Sequence, residues 1–144
     1  MSTTASRLLE AVAAALRACP ATGGNAERGL PATDLPAPYG RVRLGTVAST
    51  NGPELTSHEQ RILIDLYIVP QPTGDSLAER EDSALEAMDQ AVRAIHASAE
   101  VRAIATNQPD VNFAAVEDAG LSGLFYVVGT VEVSYYLDNL DGGI

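Results

Sequence analysis

The sequence contains no lysine, and its nine basic residues are all arginines, spread from Arg7 to Arg102 without forming a run. Nineteen acidic residues give the chain a formal net charge of −10. Because binding to phosphates requires a dense basic surface, this composition argues against direct binding to nucleic acid. The missing lysine also excludes a phosphate-binding loop of the Gly-Lys-Ser/Thr type.

Cysteine and long apolar runs are scarce as well. The single cysteine, Cys19, excludes an internal disulfide, and with no histidine or basic cluster near it in sequence we expect a buried, unreactive thiol. No apolar run reaches the roughly 18 residues that span a bilayer. Glu10 and Arg17 interrupt the apolar residues near the start, so we expect a cytosolic protein without a secretory signal.

Residues with metal-binding or catalytic spacing are also missing. The two histidines, His58 and His96, are far apart, and a zinc site needs three or four ligands. The segment from His58 to Ile62 begins like a zinc-protease motif, but Ile62 stands where the second histidine is required. No Gly-x-Ser-x-Gly elbow and no dinucleotide fingerprint is present. The residues by themselves therefore predict no catalytic, cofactor or metal site.

The strongest feature that is present is a predicted helix from Ser76 to Ala99. Ser76 followed by Glu79 matches a capping box, in which each side chain binds a free backbone N–H at the helix start. Three-and-four spacing predicts one buried stripe. The stripe consists of Leu77, Ala78, Leu85, Met88, Val92, Ile95 and Ala99. The acidic residues of this helix are expected to form a solvated face.

The first helix follows from the same spacing, and the strands follow from alternation with a period of two. In the first strand, Val42, Leu44, Thr46 and Ala48 alternate with Arg41, Arg43, Gly45 and Val47. A first helix is predicted over Ala5–Cys19 and ends before Pro20. Strands are predicted over Arg41–Ala48, Gln60–Val69, Val111–Glu117 and Leu124–Leu137. Residues 21–39 are predicted to be a long loop, 49–59 a hairpin loop, and 138–144 a frayed tail. The order predicts a single α+β domain over 1–144, with a mainly antiparallel sheet of about four strands and two helices on one face.

Two of the predicted strands are unusual, one in the composition of its faces and the other in its length. In the second strand of the chain, Ile62, Ile64, Leu66 and Ile68 form a continuous apolar face, while the opposite face mixes Arg61, Leu63, Asp65, Tyr67 and Val69. Such a mixed face is typical of a contact with another chain or another part of this one. The last strand would extend about 46 Å at roughly 3.3 Å per residue, which predicts either a bend at Gly129 or an exposed edge that a neighbouring subunit covers.

The order and pattern of these elements resemble the tail terminator, or tail completion, proteins of long-tailed phages and gene-transfer particles. The resemblance covers nearly the whole chain. It rests on the first helix, the strand Arg61–Val69 with its proline-rich exit into the central helix, and the closing segments Val116–Asp118 and Phe125–Tyr136.

Membership of this family would imply a non-catalytic virion protein without cofactors. Such proteins form a ring, usually a hexamer, that caps the head-proximal end of the tail tube, stops its polymerisation and offers a surface for the head. The partners implied are other copies of the chain, the tube protein and a neck or head-completion protein. The ring would be assembled in the host cytoplasm. DNA would pass through its acidic lumen without specific binding, because like charges repel.

Within that resemblance, the loops 21–39 and 49–59 are candidate contacts to tube or neck proteins. The subunit or partner interface is predicted to include Arg61, Asp65, Tyr67, Tyr126, Glu132, Tyr135 and Tyr136. Two other interpretations stay open. One is a different neck component, such as a head-completion or head–tail joining protein. The other is a small ligand-binding or enzymatic domain whose site includes Asp65, His58 and Tyr67.

Overall fold

A computed structural model describes residues 3–28, 38–50, 59–71, 76–118 and 124–136 of the chain. The helices are α1 (Thr4–Arg17), α2 (Leu77–Ala97) and α3 (Ala99–Ile104), with a single 3₁₀ turn at Pro20–Thr22. The strands are β1 (Ala26–Arg28), β2 (Tyr39–Thr50), β3 (Glu59–Val69), β4 (Asp110–Asp118) and β5 (Leu124–Tyr136). The predicted α+β class is confirmed, but the described residues form five strands and three helices rather than about four and two.

The five strands form one sheet in the order β1-β2-β3-β5-β4. Three of its pairings are antiparallel, and the short β1 pairs with β2 in parallel. β1 and the 3₁₀ turn fall within or beside the segment predicted as a loop over 21–39, so that prediction is wrong for its first part. A three-residue strand is too short to display a period of two. Residues 29–37, 51–58 and 138–144 of the predicted loops and tail lie outside the described residues.

The long strand β5 is an interior strand of the sheet, between β3 and the edge strand β4. It pairs with β3 through residues 127–136 and with β4 through residues 124–132. Of the two alternatives predicted for β5, a bend at Gly129 or an exposed edge, the exposed edge is wrong over residues 127–132, which have a paired strand on both sides. The length of β5 is used to join the two hairpins, β2–β3 and β4–β5, into one sheet.

The core lies between the sheet and the helices, which pack on one face of it. The predicted apolar face of β3 is confirmed, since Ile62, Ile64, Leu66 and Ile68 are at most 2% exposed. α1 and β5 supply most of the remaining large core side chains, which are Leu8, Leu9, Val12, Leu16, Val127, Val131, Val133 and Tyr135. None of the described helices is long and apolar enough to cross a membrane.

The buried face of α2 differs from the predicted stripe. Ala84, Ala87, Ala91 and Ile95 are buried, whereas Leu77 and Leu85 are 53% and 59% exposed. Alanine at the contact lets the helix backbone lie close to its neighbours, because interaxial distance depends on side-chain size. The hydropathy pattern favours the face with leucines, so the predicted stripe is confirmed at Ile95 but wrong at Leu77 and Leu85. The helix also ends at Ala97, and Ser98 caps the separate helix α3.

An irregularity in β2 changes which of its side chains face the helices. The register with β3 shifts between Leu44 and Thr46, so Val47 pairs with Ile62 and Thr46 pairs with Leu63. Directly paired residues share a face, which places Val47 on the helix side and Thr46 on the other side. The simple alternation expected over residues 41–48 therefore holds only up to Leu44.

Candidate interface on the open face of the sheet

The side of the sheet opposite the helices carries the most distinctive group of side chains among the described residues. Because successive residues of a strand point to opposite faces, burial of Ile62, Ile64, Leu66 and Ile68 under the helices turns their neighbours outwards. Strand pairing extends this surface, which we call the open face, across four strands. Its members are Arg41, Arg43, Arg61, Leu63, Asp65, Tyr67, Tyr126, Val128, Thr130, Glu132, Asn112 and Ala114.

A hollow of about 540 Å³ lies in the middle of the open face. Arg41 and Arg43 line it from β2, Asp65 and Tyr67 from β3. Leu66 of β3 and apolar or small uncharged residues of β4 and β5 complete the lining, the latter being Asn112, Phe113, Ala114, Val128, Gly129 and Thr130. Arg43 is exposed, and although it occupies the position paired with Asp65, it forms no ion pair with any described residue. The hollow therefore combines an apolar surface with a cation that is free to bind a partner.

Three tyrosines form a cluster beside the hollow. The ring centroids of Tyr67 and Tyr126 are 5.0 Å apart, and those of Tyr39 and Tyr67 are 6.3 Å apart. The guanidinium carbon of Arg41 lies 4.3 Å from the centroid of the Tyr67 ring, within the range of a cation–π interaction. Burial and the neighbouring Tyr39 raise the pKa of Tyr67, while Arg41 partly opposes this increase. These contacts fix the orientation of Arg41, whose buried Nε has no hydrogen-bond partner within the described part of the chain.

A salt bridge between β3 and β5 also lies on the open face. Arg61 Nε lies 3.2 Å from Glu132 Oε1, and both side chains are about half exposed. An exposed pair of this kind adds little to stability, roughly 0–1 kcal/mol. Its charges cancel. In the lining of the hollow, Arg41 and Arg43 stand against one carboxylate, that of Asp65, so the hollow itself carries a net positive charge.

The predicted interface residues divide into two groups. Arg61, Asp65, Tyr67, Tyr126 and Glu132 share the open face, and Tyr136 is 52% exposed at the end of β5. Tyr135 was placed in the interface wrongly, because its side chain is 1% exposed and belongs to the core. Its hydroxyl donates a hydrogen bond to Gln60 Oε1 at 2.6 Å, and burial raises its pKa.

Sequence reasoning did not include Tyr39, Arg41 and Arg43 in the interface. The alternation of Arg41 and Arg43 around Val42 indicated that both arginines face away from the core. It gave no information on which strand lies beside β2. Only the pairing of Arg41 with Tyr67 and of Arg43 with Asp65 brings these side chains into one surface.

The remaining candidate groups have structural partners. Cys19 is buried, as expected, and burial raises its pKa. His96 Nε2 is 3.1 Å from the carbonyl oxygen of Pro109, and its Nδ1 is 3.2 Å from Gln108 Nε2. His58 lies outside the described residues. Within the described ranges, no three histidine, cysteine, aspartate or glutamate side chains lie close enough together to hold a metal ion.

Comparison with known proteins adds no relative. No protein-family model matches the chain, and no curated protein matches its sequence.

Proposed function

We propose that the chain is a structural assembly protein of the tail terminator type. In this proposal copies of the chain form a ring at the head-proximal end of a phage tail tube, stop its polymerisation and offer the docking surface for the head. The role is non-catalytic, and the protein resides in the neck of the virion. The observation that carries the proposal is the open face, a broad sheet surface whose composition is that of a protein interface.

The composition of the open face supports association with another protein. Tyrosine and arginine are among the residues enriched at interface cores, and here Tyr39 and Tyr126 flank Tyr67, whose ring contacts Arg41. Apolar side chains such as Leu63 and Val128 lie on the same face. Three tyrosine rings in contact on one surface, with Arg41 against one of them, are typical of a surface that binds a partner.

The overall charge also fits a ring around DNA. The net charge of −10 supplies acidic side chains in excess, and those that face the lumen of a ring would repel phosphates at short range. A channel of this sign would let DNA slide through without being retained. The two arginines of the hollow are not an obstacle, because a protein contact would cover them.

The direct test is to add the purified protein to polymerising tail-tube protein from the same particle. Negative-stain electron microscopy would then measure tube lengths and show the tube ends. We expect a cap at one end and arrested growth. A Tyr67→Asp variant, which places a charge inside the tyrosine cluster, should cap poorly, whereas the control Leu77→Asp, at an exposed residue of α2 away from the open face, should cap like the unmodified protein.

Uncapped tubes of unchanged length would refute the terminator role. In that case, binding to head particles that lack tails would support a different neck component, such as a head-completion or joining protein. Pelleting of the protein with such particles measures this outcome.

A second function is favoured by the size of the hollow. Small-molecule sites typically measure about 300–1,000 Å³, and this hollow falls in that range with Asp65 and Tyr67 among its lining residues. If the chain is a ligand-binding domain, native mass spectrometry should detect the protein with a bound small molecule. The Arg43→Glu variant should be detected without it. Detection of the bare chain alone would count against this function.

A further inference from the structure

The solvent side of α2 presents an apolar side chain surrounded by acids. Leu85 is 59% exposed, and Glu81, Asp82 and Asp89 lie three or four residues from it, so all four side chains share one patch of the helix surface. Arg93 neutralises Asp89 through an ion pair of 3.1 Å. Glu81 and Asp82 form no ion pair with any residue in the described ranges. We call this patch the acidic knob.

The hollow on the open face has the complementary properties. Its lining is largely apolar, and Arg43 at its β2 side has no ion pair among the described residues. It is lined by residues of four adjacent strands, which at about 4.8 Å between strands measure roughly 14 Å across. An α-helix with its side chains is about 10–12 Å wide. The hollow therefore has room for one helix surface.

The two surfaces cannot meet within one molecule. α2 packs on one face of the sheet, and its acidic knob points away from that face, while the hollow opens on the opposite face. Contact between them requires two molecules. Such a contact joins unlike surfaces. In a pair of subunits, one therefore keeps a free hollow and the other a free knob, and each can bind a further subunit.

We propose that the acidic knob of one copy docks into the hollow of a second copy. Leu85 enters the apolar lining, and the carboxylates of Glu81 and Asp82 pair with the guanidinium group of Arg43. Charge complementarity identifies the occupant, because a chain with a net charge of −10 exposes unpaired arginine here and unpaired carboxylates around an exposed leucine on its other side. Only the closure of this head-to-tail chain into a ring rests on the proposed function, since the contact itself can also build an open chain.

The test uses two variants that each damage one surface. Arg43→Glu reverses the charge of the hollow, and Leu85→Glu replaces the apolar tip of the knob. Both side chains are exposed, so the fold should be retained, and thermal unfolding checks this. Matched controls are Arg102→Glu on α3 and Leu44→Glu on β2, which change an exposed arginine and an exposed leucine elsewhere.

Sedimentation velocity from micromolar to millimolar concentration measures association. We expect the unmodified protein and both controls to form oligomers, and each interface variant to associate about tenfold more weakly or worse, which corresponds to roughly 1.4 kcal/mol. A mixture of the two variants should form a one-to-one dimer and nothing larger. Its only undamaged pair is the knob of the Arg43→Glu chain and the hollow of the Leu85→Glu chain.

Three results would overturn the proposal: unmodified protein that stays monomeric throughout, interface variants that associate like the controls, or a mixture that stays monomeric. Failure of the function has a different signature. If association behaves as expected but tubes remain uncapped, the contact stands and the terminator role is wrong. If Arg43→Glu and Leu85→Glu cap tubes normally, the role stands and the contact is wrong.

Discussion

The aromatic ring of Phe113 lies directly against Gly129, its paired residue on the neighbouring strand. A Cβ atom at position 129 would collide with this ring and would also come within 2.9 Å of the carbonyl oxygen of Asn112. Glycine is required here because a side chain on the partner strand occupies the space.

Gly129→Ala should therefore destabilise the fold through overpacking, by about 1–3 kcal/mol. Urea denaturation monitored by circular dichroism measures the change in the free energy of unfolding. In a Phe113→Leu background the same substitution should cost less, because the smaller side chain leaves room. An equal cost in both backgrounds would show that the ring is not the cause.

Substitutions on α2 should reverse the order that hydropathy suggests. Leu85→Ala removes a side chain that is 59% exposed and should change the free energy of unfolding of the monomer by less than about 0.5 kcal/mol. Ala91→Leu places a large side chain where alanine is 0% exposed and should cost about 1–3 kcal/mol. Equilibrium unfolding at a concentration where the protein is monomeric compares the two. A larger cost for Leu85→Ala would support the stripe predicted from the sequence.

The start of α2 depends on Ser76. Its Oγ accepts a hydrogen bond from the backbone N–H of Glu79 at 3.1 Å, as the capping box predicts. The reciprocal bond differs, because the Glu79 carboxylate accepts from the Ser76 hydroxyl rather than from a backbone N–H. Ser76→Ala should lower the free energy of unfolding by about 1 kcal/mol, and Ser76→Asp should retain most of it. Equal losses for both substitutions would contradict a capping role.

Stability should fall at alkaline pH because of Tyr135. Burial raises the pKa of this hydroxyl above its ordinary value of about 10, so above that pH the folded state binds more protons than the unfolded state. Its contribution is therefore complete below pH 10 and is lost as pH rises through the folded pKa. The raised pKa values of Tyr67 and Cys19 act in the same direction.

Tyr135→Phe should cost about 0.5–1.5 kcal/mol at neutral pH, since it removes the hydrogen bond to Gln60. The substitution should also make the free energy of unfolding fall less steeply at alkaline pH. Tyr136→Phe, at the exposed neighbouring position, is the matched control and should change neither property. Urea denaturation between pH 7 and pH 11 tests both statements, and identical pH profiles for all three proteins would contradict the assignment.

Much of the fold could be predicted because local periodicity reports burial. The apolar run at Ile62, Ile64, Leu66 and Ile68 identified the buried face of β3, and Pro20 with the Ser76–Glu79 pair marked helix limits within a few residues. The candidate interface was only partly predictable. Alternation placed Arg61, Asp65 and Tyr67 on one face, but Tyr135, on the core side of its strand, was assigned to the interface by residue type.

The sequence by itself determined the α+β class, the order of the longer elements and the acidic net charge, because each depends on residue spacing or composition along the chain. Tertiary structure decided what depends on neighbours distant in sequence. These features are the interior position of β5 between β3 and β4, the alanine contact of α2, the shift in β2 register and the contact of Arg41 with Tyr67. The hollow and the acidic knob belong to this second group, since strand order and helix packing place them on opposite faces of one sheet.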